Sequence, residues 1–206
     1  RPAETSVASA AFVAGAVDLS GLPESSAPEV AFIGRSNVGK STLLNRLAQQ
    51  DKLARTSATP GRTQQLNIFA LRVINPADKS KHDIHLIDLP GFGYAKFSKE
   101  MRESLSGLTV EYISSRPQLQ VVCLLADCRR DPAEDELAVR DLALRSGRSL
   151  LVIVTKMDQL RRNDRQKRVA AIAEAFGLPA EDLVQAGEDI SAATVWQRIF
   201  PLLTSS

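Results

Sequence analysis

Short runs of consecutive apolar residues alternate along this chain with longer segments in which apolar residues recur every three or four positions. The runs "VAFIG" (30–34), "QVVCLLAD" (120–127) and "SLLVIVTK" (149–156) are almost uninterrupted, as is typical of parallel strands buried on both faces of a sheet. The intervening segments have the spacing of amphipathic helices. This order of elements predicts an α/β fold with a mainly parallel sheet and helices on both faces.

The pattern predicts six strands, and one of them is antiparallel because "NPADKSKHD" has the composition of a hairpin connection. The predicted strands cover residues 30–34, 66–74, 83–88, 120–127, 149–155 and 181–186. The predicted helices cover residues 40–50, 101–115, 131–147, 163–176 and 193–203. In such a sheet the ligand binds at the carboxyl ends of the strands.

The chain of 206 residues divides by composition into a short leading part and one larger domain. Residues 1–28 are small, polar and proline-containing, which predicts an N-terminal arm, and residues 29–206 form the domain. No apolar run approaches the ~20 residues of a membrane helix, so we expect no membrane association. The net charge of +2 permits an RNA partner without arguing for one, and two cysteines are too few for a disulfide framework.

A glycine-rich pattern, G-x-x-x-x-G-K-[ST], directly follows the first predicted strand and opens a predicted helix, the context in which it indicates a phosphate-binding loop. It consists of Gly34, Arg35, Ser36, Asn37, Val38, Gly39, Lys40 and Ser41, with Thr42 next. The glycines let backbone N–H groups approach phosphates at the start of a helix. We expect Lys40 to reach the β- and γ-phosphates and Ser41 to bind Mg²⁺.

A second motif, Asp88-Leu89-Pro90-Gly91, ends the third predicted strand. Asp88 can hold Mg²⁺ through a water molecule, and the Gly91 N–H can bond the γ-phosphate that hydrolysis removes, so the turn can sense the state of the nucleotide. The next residue, Phe92, lies where many nucleotide hydrolases place a polar residue that orients the attacking water. A phenyl ring cannot make that hydrogen bond.

A third motif, "TKMD", ends the strand at 149–155 and comprises Thr155, Lys156, Met157 and Asp158. The Asp158 carboxylate can accept hydrogen bonds from the ring N–H and the amino group of guanine, a donor pair that adenine lacks. The Lys156 stem can lie along the base while its ammonium group tethers the phosphate loop. These features favour a guanine nucleotide over an adenine nucleotide, and therefore a GTPase over a P-loop kinase or ATPase.

The long segment between the first helix and the next strand contains "TSATPGRTQQLN". One hydroxyl here should close over Mg²⁺ and the γ-phosphate, and Thr56, Thr59 and Thr63 compete for that role. We favour Thr63, with Gly61 and Arg62 beside it, because it lies nearest the following strand.

These motifs, together with "PEVAFIGRSNVGKSTLLNRL", "TPGRTQQLNIF", "DLPGFGYAK", "EYISSRPQLQVVCLLADCRRDP" and "TKMDQL", resemble the EngB (YihA/YsxC) family of the TrmE–Era–EngA–YihA–Septin-like GTPases. The resemblance implies a Ras-like P-loop GTPase fold of three layers, with Mg²⁺ and GTP or GDP as ligands. It also implies a cytoplasmic monomer that hydrolyses GTP slowly and acts as a switch in assembly of the large ribosomal subunit, with rRNA as a partner and a role in cell division.

Two site assignments remain open at this level. Relatives carry a Ser-Ala or Ser-Ser pair after the last strand, whose backbone contacts the guanine oxygen. In this chain Gln185-Ala186-Gly187 fits by distance from Trp196, and Ser191-Ala192 fits by residue type; we favour the former. Related GTPases with asparagine at the position of Asn37 bind K⁺ beside the phosphates, so Asn37 either supports such an ion or only shapes the loop.

The role of the basic residues and the turnover of GTP also have alternative interpretations. The segment "RRNDRQKR" (161–168) and basic residues around the two switch loops contact rRNA phosphates or form an ordinary solvated surface. The basic residues beside the loops are Lys52, Arg55, Arg62, Lys96, Lys99 and Arg102. Because Phe92 replaces the water-orienting residue, the second functional hypothesis is a module that binds GTP structurally without turnover.

Overall fold

The computed structural model of the chain describes residues 5–54, 65–92 and 105–203. The strands are β1 (Ser6–Ala16), β2 (Glu29–Gly34), β3 (Leu66–Ile74), β4 (Lys81–Asp88), β5 (Leu119–Asp127), β6 (Ser149–Thr155) and β7 (Leu183–Gln185). The helices are α1 (Lys40–Ala48), α2 (Gly107–Ser115), α3 (Glu134–Arg145), α4 (Arg162–Phe176) and α5 (Ala193–Ile199). The strands form one sheet in the order β1-β3-β4-β2-β5-β6-β7.

The sheet is mixed and mainly parallel. β2 pairs in parallel with β4 and β5, β5 with β6, and β6 with β7. β3 pairs antiparallel with both β1 and β4, so within the described ranges it is the strand that runs against the others. This arrangement confirms the predicted α/β class with one antiparallel strand, and it puts the carboxyl ends of β2, β4, β5, β6 and β7 along a common edge.

The sheet has seven strands rather than the predicted six, because the expected N-terminal arm contributes β1. This strand pairs with β3 along its length and is also tied to the end of α1. The Val7 N–H donates to the Gln49 side-chain oxygen at 3.1 Å, and the Gln50 amide donates to the Ala10 carbonyl at 2.8 Å. Residues 6–16, which lie in the segment assigned to an arm, therefore form a strand of the sheet.

The core consists of two apolar layers, one on each face of the sheet. In β2, Val30 and Phe32 join the layer that contains α1 and α5, whereas Ala31 and Ile33 join the layer that contains α2, α3 and α4. All four side chains are fully buried, and each large one contributes about 1.5–3 kcal/mol of burial free energy. The predicted three-layer architecture is confirmed, and its central strand is the one that leads into the phosphate loop.

The remaining element bounds differ from the predictions at their ends. The helix predicted at 163–176 begins at Arg162 and ends at Phe176, where Gly177 adopts a left-handed conformation with φ 65°. The closing helix ends at Ile199 and continues as a 3₁₀ turn over Phe200–Leu202. No helix in the three described ranges is long and apolar enough to cross a membrane.

Candidate functional site

The phosphate loop connects the buried end of β2 to the first turn of α1, which begins at Lys40 and includes Ser41 and Thr42. Gly39 has φ 99°, a conformation that glycine adopts without strain. Gly34 is also required, because a Cβ atom there would lie 2.8 Å from the Val38 side chain. The loop thus presents backbone groups at a helix N-terminus, an arrangement that favours anions.

Lys40 connects this loop to the end of β4. Its ammonium group contacts the Asp88 carboxylate and the Leu89 carbonyl. The structure therefore brings together the lysine predicted to reach the phosphates and the carboxylate predicted to support Mg²⁺. Ser41, the other predicted Mg²⁺ ligand, directly follows this lysine in the sequence. Lys40 is the first residue of α1, and Asp88 is the last residue of β4.

The donors at this site are the Ser41 hydroxyl and the Asp88 carboxylate, and oxygen ligands of this kind suit Mg²⁺. Among the described residues no group of three or more His, Cys, Asp or Glu side chains lies close enough to hold a metal. Mg²⁺ usually binds through one or two protein groups together with phosphates and water. Ser41 and Asp88 would be those groups, and the ion would neutralise charge on the phosphates.

The turn after β4 is attached to the phosphate loop through its backbone. The Phe92 N–H donates to the Gly34 carbonyl at 3.3 Å, and the Ser36 N–H donates to the Phe92 carbonyl at 3.0 Å. A Cβ atom on Gly91 would lie 3.3 Å from the same Gly34 carbonyl, so the two loops approach closely. Pro90 also lies within this turn. Any movement of Gly91 must alter the contacts between the turn and the phosphate loop.

Phe92 is a core residue. Its side chain is only 8% exposed and belongs to the apolar layer that also contains Leu89 and Leu105. The ring thus stabilises the base of the turn, and the backbone of the same residue contacts the phosphate loop. The expectation that Phe92 supplies no hydrogen bond to water agrees with this burial.

The "TKMD" turn also contacts the phosphate loop. The Thr155 hydroxyl donates to the Val38 carbonyl at 2.7 Å, and the Lys156 ammonium donates to the Asn37 carbonyl at 2.6 Å. Asn37 and Lys156 both have positive φ, 61° and 60°, so two tight turns meet here. The predicted tether from Lys156 to the phosphate loop is present in this geometry.

The loop after β7 lies against Asp158. The Met157 N–H donates to the Ala186 carbonyl at 3.1 Å, and the Glu188 N–H donates to Asp158 Oδ1 at 3.0 Å. Gly187 is so close that a Cβ atom there would lie 2.8 Å from both Asp158 N and Oδ1. The geometry favours Gln185-Ala186-Gly187 as the loop that faces the base.

The other assignment of the guanine loop fits the geometry less well. The Ser191 hydroxyl accepts a hydrogen bond from the Ala193 N–H at 3.2 Å, at the start of α5. Ala192 packs against the apolar layer that contains α1 and α5. Both residues therefore contribute to the beginning of the last helix.

The candidate threonines Thr56, Thr59 and Thr63, and with them Gly61 and Arg62, lie outside the described residues. The role of Thr63 as the hydroxyl that covers Mg²⁺ and the γ-phosphate stays a prediction. Of the basic residues near the switch loops, Arg55, Lys96, Lys99 and Arg102 also lie outside the described ranges, and Lys52 is exposed.

Sequence reasoning did not identify Asp127, the last residue of β5. Its carboxylate is 5% exposed, contacts the Lys156 ammonium at 2.9 Å, and accepts three hydrogen bonds from Arg129. Burial alone would raise the pKa of Asp127, but Arg129 and Lys156 outweigh it and hold that pKa well below its usual range. The sequence feature that could have identified it is an acidic residue at the end of an apolar strand, the same feature that marks Asp88.

Comparison with known proteins identifies this site. The family model described as "50S ribosome-binding GTPase" matches residues 29–156. A "Probable GTP-binding protein EngB" from Exiguobacterium sibiricum is 37% identical over 92% of this chain and 95% of its own length. Another from Syntrophotalea carbinolica is 41% identical over 85% of this chain and 80% of its own length. The chain belongs to the EngB family of GTPases.

A solved structure described as a probable GTP-binding protein EngB has the same fold, with a TM-score of 0.62 and 24% identity, covering 84% of this chain and 97% of that one. As an EngB-family GTPase, the protein binds GTP and GDP and hydrolyses GTP to GDP and phosphate. The roles of the phosphate loop and Lys40 in binding the phosphates, and of Asp158 in binding the base, stay predictions for this chain.

Replacement of Gly187 by alanine is expected to weaken GDP binding by about ten- to a hundredfold, because the new methyl group would displace the Asp158 carboxylate. Gly107→Ala in α2 is the matched control, since a Cβ atom there meets nothing within 4 Å. Isothermal titration with GDP measures both variants. Equal affinity of the Gly187→Ala variant and the unmodified protein would contradict the close contact of this loop with the guanine site.

Proposed function

We propose that this EngB-family GTPase acts as a monomeric cytoplasmic switch in assembly of the large ribosomal subunit, and that cell division depends on this role. The observation that carries the proposal is the match of residues 29–156 to a family described as "50S ribosome-binding GTPase". GTP would favour binding to the particle, and hydrolysis would favour release. The hypothesis of a purely structural GTP-binding module is weakened, because the family hydrolyses GTP.

The attachment of the Gly91 turn to the phosphate loop supports a switch of this kind. Gly91 and Phe92 lie three and four residues after Asp88, where β4 ends, and backbone hydrogen bonds join Phe92 to Gly34 and Ser36. A γ-phosphate bound at Gly91 would therefore act on the contacts between this turn and the phosphate loop. Loss of that phosphate would change these contacts and so the surface that the turn offers to a partner.

Two of the five basic residues in the segment at 161–168 form ion pairs within the protein. Arg165 pairs with Asp189 at 2.7 Å, and Arg168 pairs with Asp131 at 2.7 Å, so both arginines also serve the fold. The exposed cations of this segment are Arg161, Arg162 and Lys167. These three follow the "TKMD" turn at 155–158, which we call the guanine turn. We therefore propose that they contact rRNA phosphates near the nucleotide site.

Sedimentation with large-subunit precursors tests the proposed partner. We expect the protein to sediment with the particles in a non-hydrolysable GTP analogue and to remain in the supernatant in GDP. The variant Arg162→Ala/Lys167→Ala should lose binding several-fold, because two phosphate contacts are removed. The variant Arg145→Ala/Lys81→Ala removes one exposed arginine and one exposed lysine elsewhere and should bind normally. Equal sedimentation in both nucleotides would contradict the proposed switch.

The proposed mechanism of hydrolysis relies on positioning and charge rather than on a water-orienting side chain at residue 92. Lys40 and the loop N–H groups can hold and neutralise the phosphates, and Mg²⁺ adds positive charge when bound. The Phe92 side chain is buried and can form no hydrogen bond to the attacking water. We therefore propose slow intrinsic turnover, below the ~1–100 s⁻¹ of dedicated kinases.

We further propose that K⁺ supports turnover next to Asn37. This residue is exposed on the phosphate loop, and amide and carbonyl oxygens are ligands that suit an alkali cation. Phosphate release in the presence of ribosomal particles should be faster in K⁺ than in Na⁺ at the same ionic strength. Asn37→Ala should remove the difference between the two salts, and equal rates of the unmodified protein in both salts would exclude the proposed ion.

A further inference from the structure

Asp127 connects the guanine turn to the phosphate loop although it belongs to neither. In the pairing of β5 with β6, Asp127 lies opposite Thr155, the first residue of the guanine turn. Its carboxylate contacts the Lys156 ammonium at 2.9 Å, and the same ammonium donates to the Asn37 carbonyl at 2.6 Å. The Lys156 ammonium group therefore bridges Asp127 at the end of β5 and Asn37 in the phosphate loop. These two contacts fix the direction of the lysine side chain.

We propose that Asp127 is a positioning residue for guanine nucleotide binding, acting through Lys156 to hold the guanine turn against the phosphate loop. Contact between Asp127 and the nucleotide is not required. The inference concerns nucleotide affinity alone and does not depend on a ribosomal partner.

The contacts around Asp127 explain why an ionised carboxylate is needed here. Arg129 binds it through its own backbone N–H at 3.0 Å, through Nε at 2.9 Å and through a terminal nitrogen at 2.7 Å. This fork fixes the orientation of the carboxylate, and Oδ2 is then close to Lys156. Because these cations keep the pKa of Asp127 low despite its burial, the group is charged at neutral pH.

Without this anion, Lys156 would keep only a neutral carbonyl as its partner in the described contacts. A lysine side chain has up to about 2 kcal/mol of rotamer entropy, so an ammonium held at one end would sample other positions in the nucleotide-free protein. Each nucleotide-binding event would then have to reorder the side chain along the base. Asp127 removes that cost before the ligand arrives.

The guanine turn is braced from the same side by neighbouring groups. The Cys128 N–H donates to the Thr155 carbonyl at 3.1 Å, and the Cys128 thiol donates to the Lys156 carbonyl at 3.2 Å. These bonds fix the backbone of the turn, whereas Asp127 fixes the Lys156 side chain. Loss of the Asp127 charge should therefore affect the lysine while the turn stays folded.

A double-mutant cycle on nucleotide release tests the proposal. Stopped-flow measurement gives the dissociation rate of a fluorescent GDP analogue from the unmodified protein, Asp127→Asn, Lys156→Met and the double variant. We expect Asp127→Asn to accelerate release about tenfold. Because Asp127 acts through Lys156, the double variant should release the nucleotide no faster than Lys156→Met alone.

Two controls separate positioning from folding. Asp83→Asn makes the same chemical change in an exposed ion pair with Arg72 and should leave nucleotide release unchanged. Thermal unfolding without nucleotide identifies a temperature at which every variant is folded, and the rates are compared there. Two results would overturn the proposal. One is release of the nucleotide from Asp127→Asn at the rate of the unmodified protein, and the other is a rate increase in the double variant equal to the product of the increases in the two single variants.

Discussion

Replacement of Asp158 by asparagine is expected to weaken GDP binding by up to about 10⁴-fold. Guanine presents two adjacent donors, its ring N–H and its amino group, and a carboxylate can accept both hydrogen bonds. An asparagine amide offers one acceptor and one donor, so one guanine donor would face the amide N–H. Asp158 also accepts the Glu188 N–H at 3.0 Å, a bond that the asparagine oxygen can retain.

The same replacement should reverse the preference of the site toward xanthine. Xanthine has a carbonyl oxygen where guanine has the amino group, and that oxygen can accept a hydrogen bond from the asparagine amide. Titration of the Asp158→Asn variant with GDP and with xanthosine diphosphate measures both affinities. Asp182→Asn, an exposed residue before β7, is the matched control and should bind GDP normally. Retained GDP affinity would show that Asp158 does not read the base.

Replacement of Arg116 by alanine is expected to destabilise the fold by about 3–5 kcal/mol. Arg116 binds the carboxylate of Glu29, which is 0% exposed, with distances of 2.7 Å and 3.1 Å from its nitrogens. The Tyr112 hydroxyl donates to the same carboxylate at 2.5 Å, and Arg116 also donates to the Pro23 carbonyl at 3.1 Å. Removal of the arginine leaves a buried carboxylate without its cation.

Thermal and urea unfolding measure this effect, and the midpoint of thermal unfolding should fall by roughly 6–20 °C for a domain of this size. The chain supplies a matched control in Arg72, which pairs with Asp83 at 2.7 Å while more than half of each side chain is exposed. Arg72→Ala should cost about 0–1 kcal/mol. If the two variants were equally stable, the Glu29 carboxylate would have to be compensated by other groups.

The position of the phosphate and guanine motifs could be predicted because each one is local. An apolar run that ends in Gly34, Asp88 or Thr155 marks the carboxyl end of a buried strand, and topology then brings these ends to one edge. The loop predicted to face the base was harder to choose, since the structural grounds for it are backbone contacts around Ala186 and the lack of space for a side chain at Gly187. Such features are weakly encoded by residue type.

The first strand and Asp127 were missed for different physical reasons. β1 is an edge strand of mostly small side chains, many of them exposed, so its sequence lacks the apolar alternation that marks a half-buried strand. Asp127 is an acidic residue that ends an apolar run, but its contact with Lys156 follows only from the register of β5 on β6, because Lys156 directly follows the end of another strand. Pairing partners of this kind depend on tertiary structure.

Helix α1 acts as a spacer between the two ends of the nucleotide site. Lys40 lies at its start, and Arg46, about one and two-thirds turns later, donates to the Gly187 carbonyl at 2.6 Å and also binds the Ile190 carbonyl. Six residues of helix span about 9 Å along its axis. Because a helix resists stretching, α1 holds the phosphate loop at a fixed distance from the loop that is predicted to face the base.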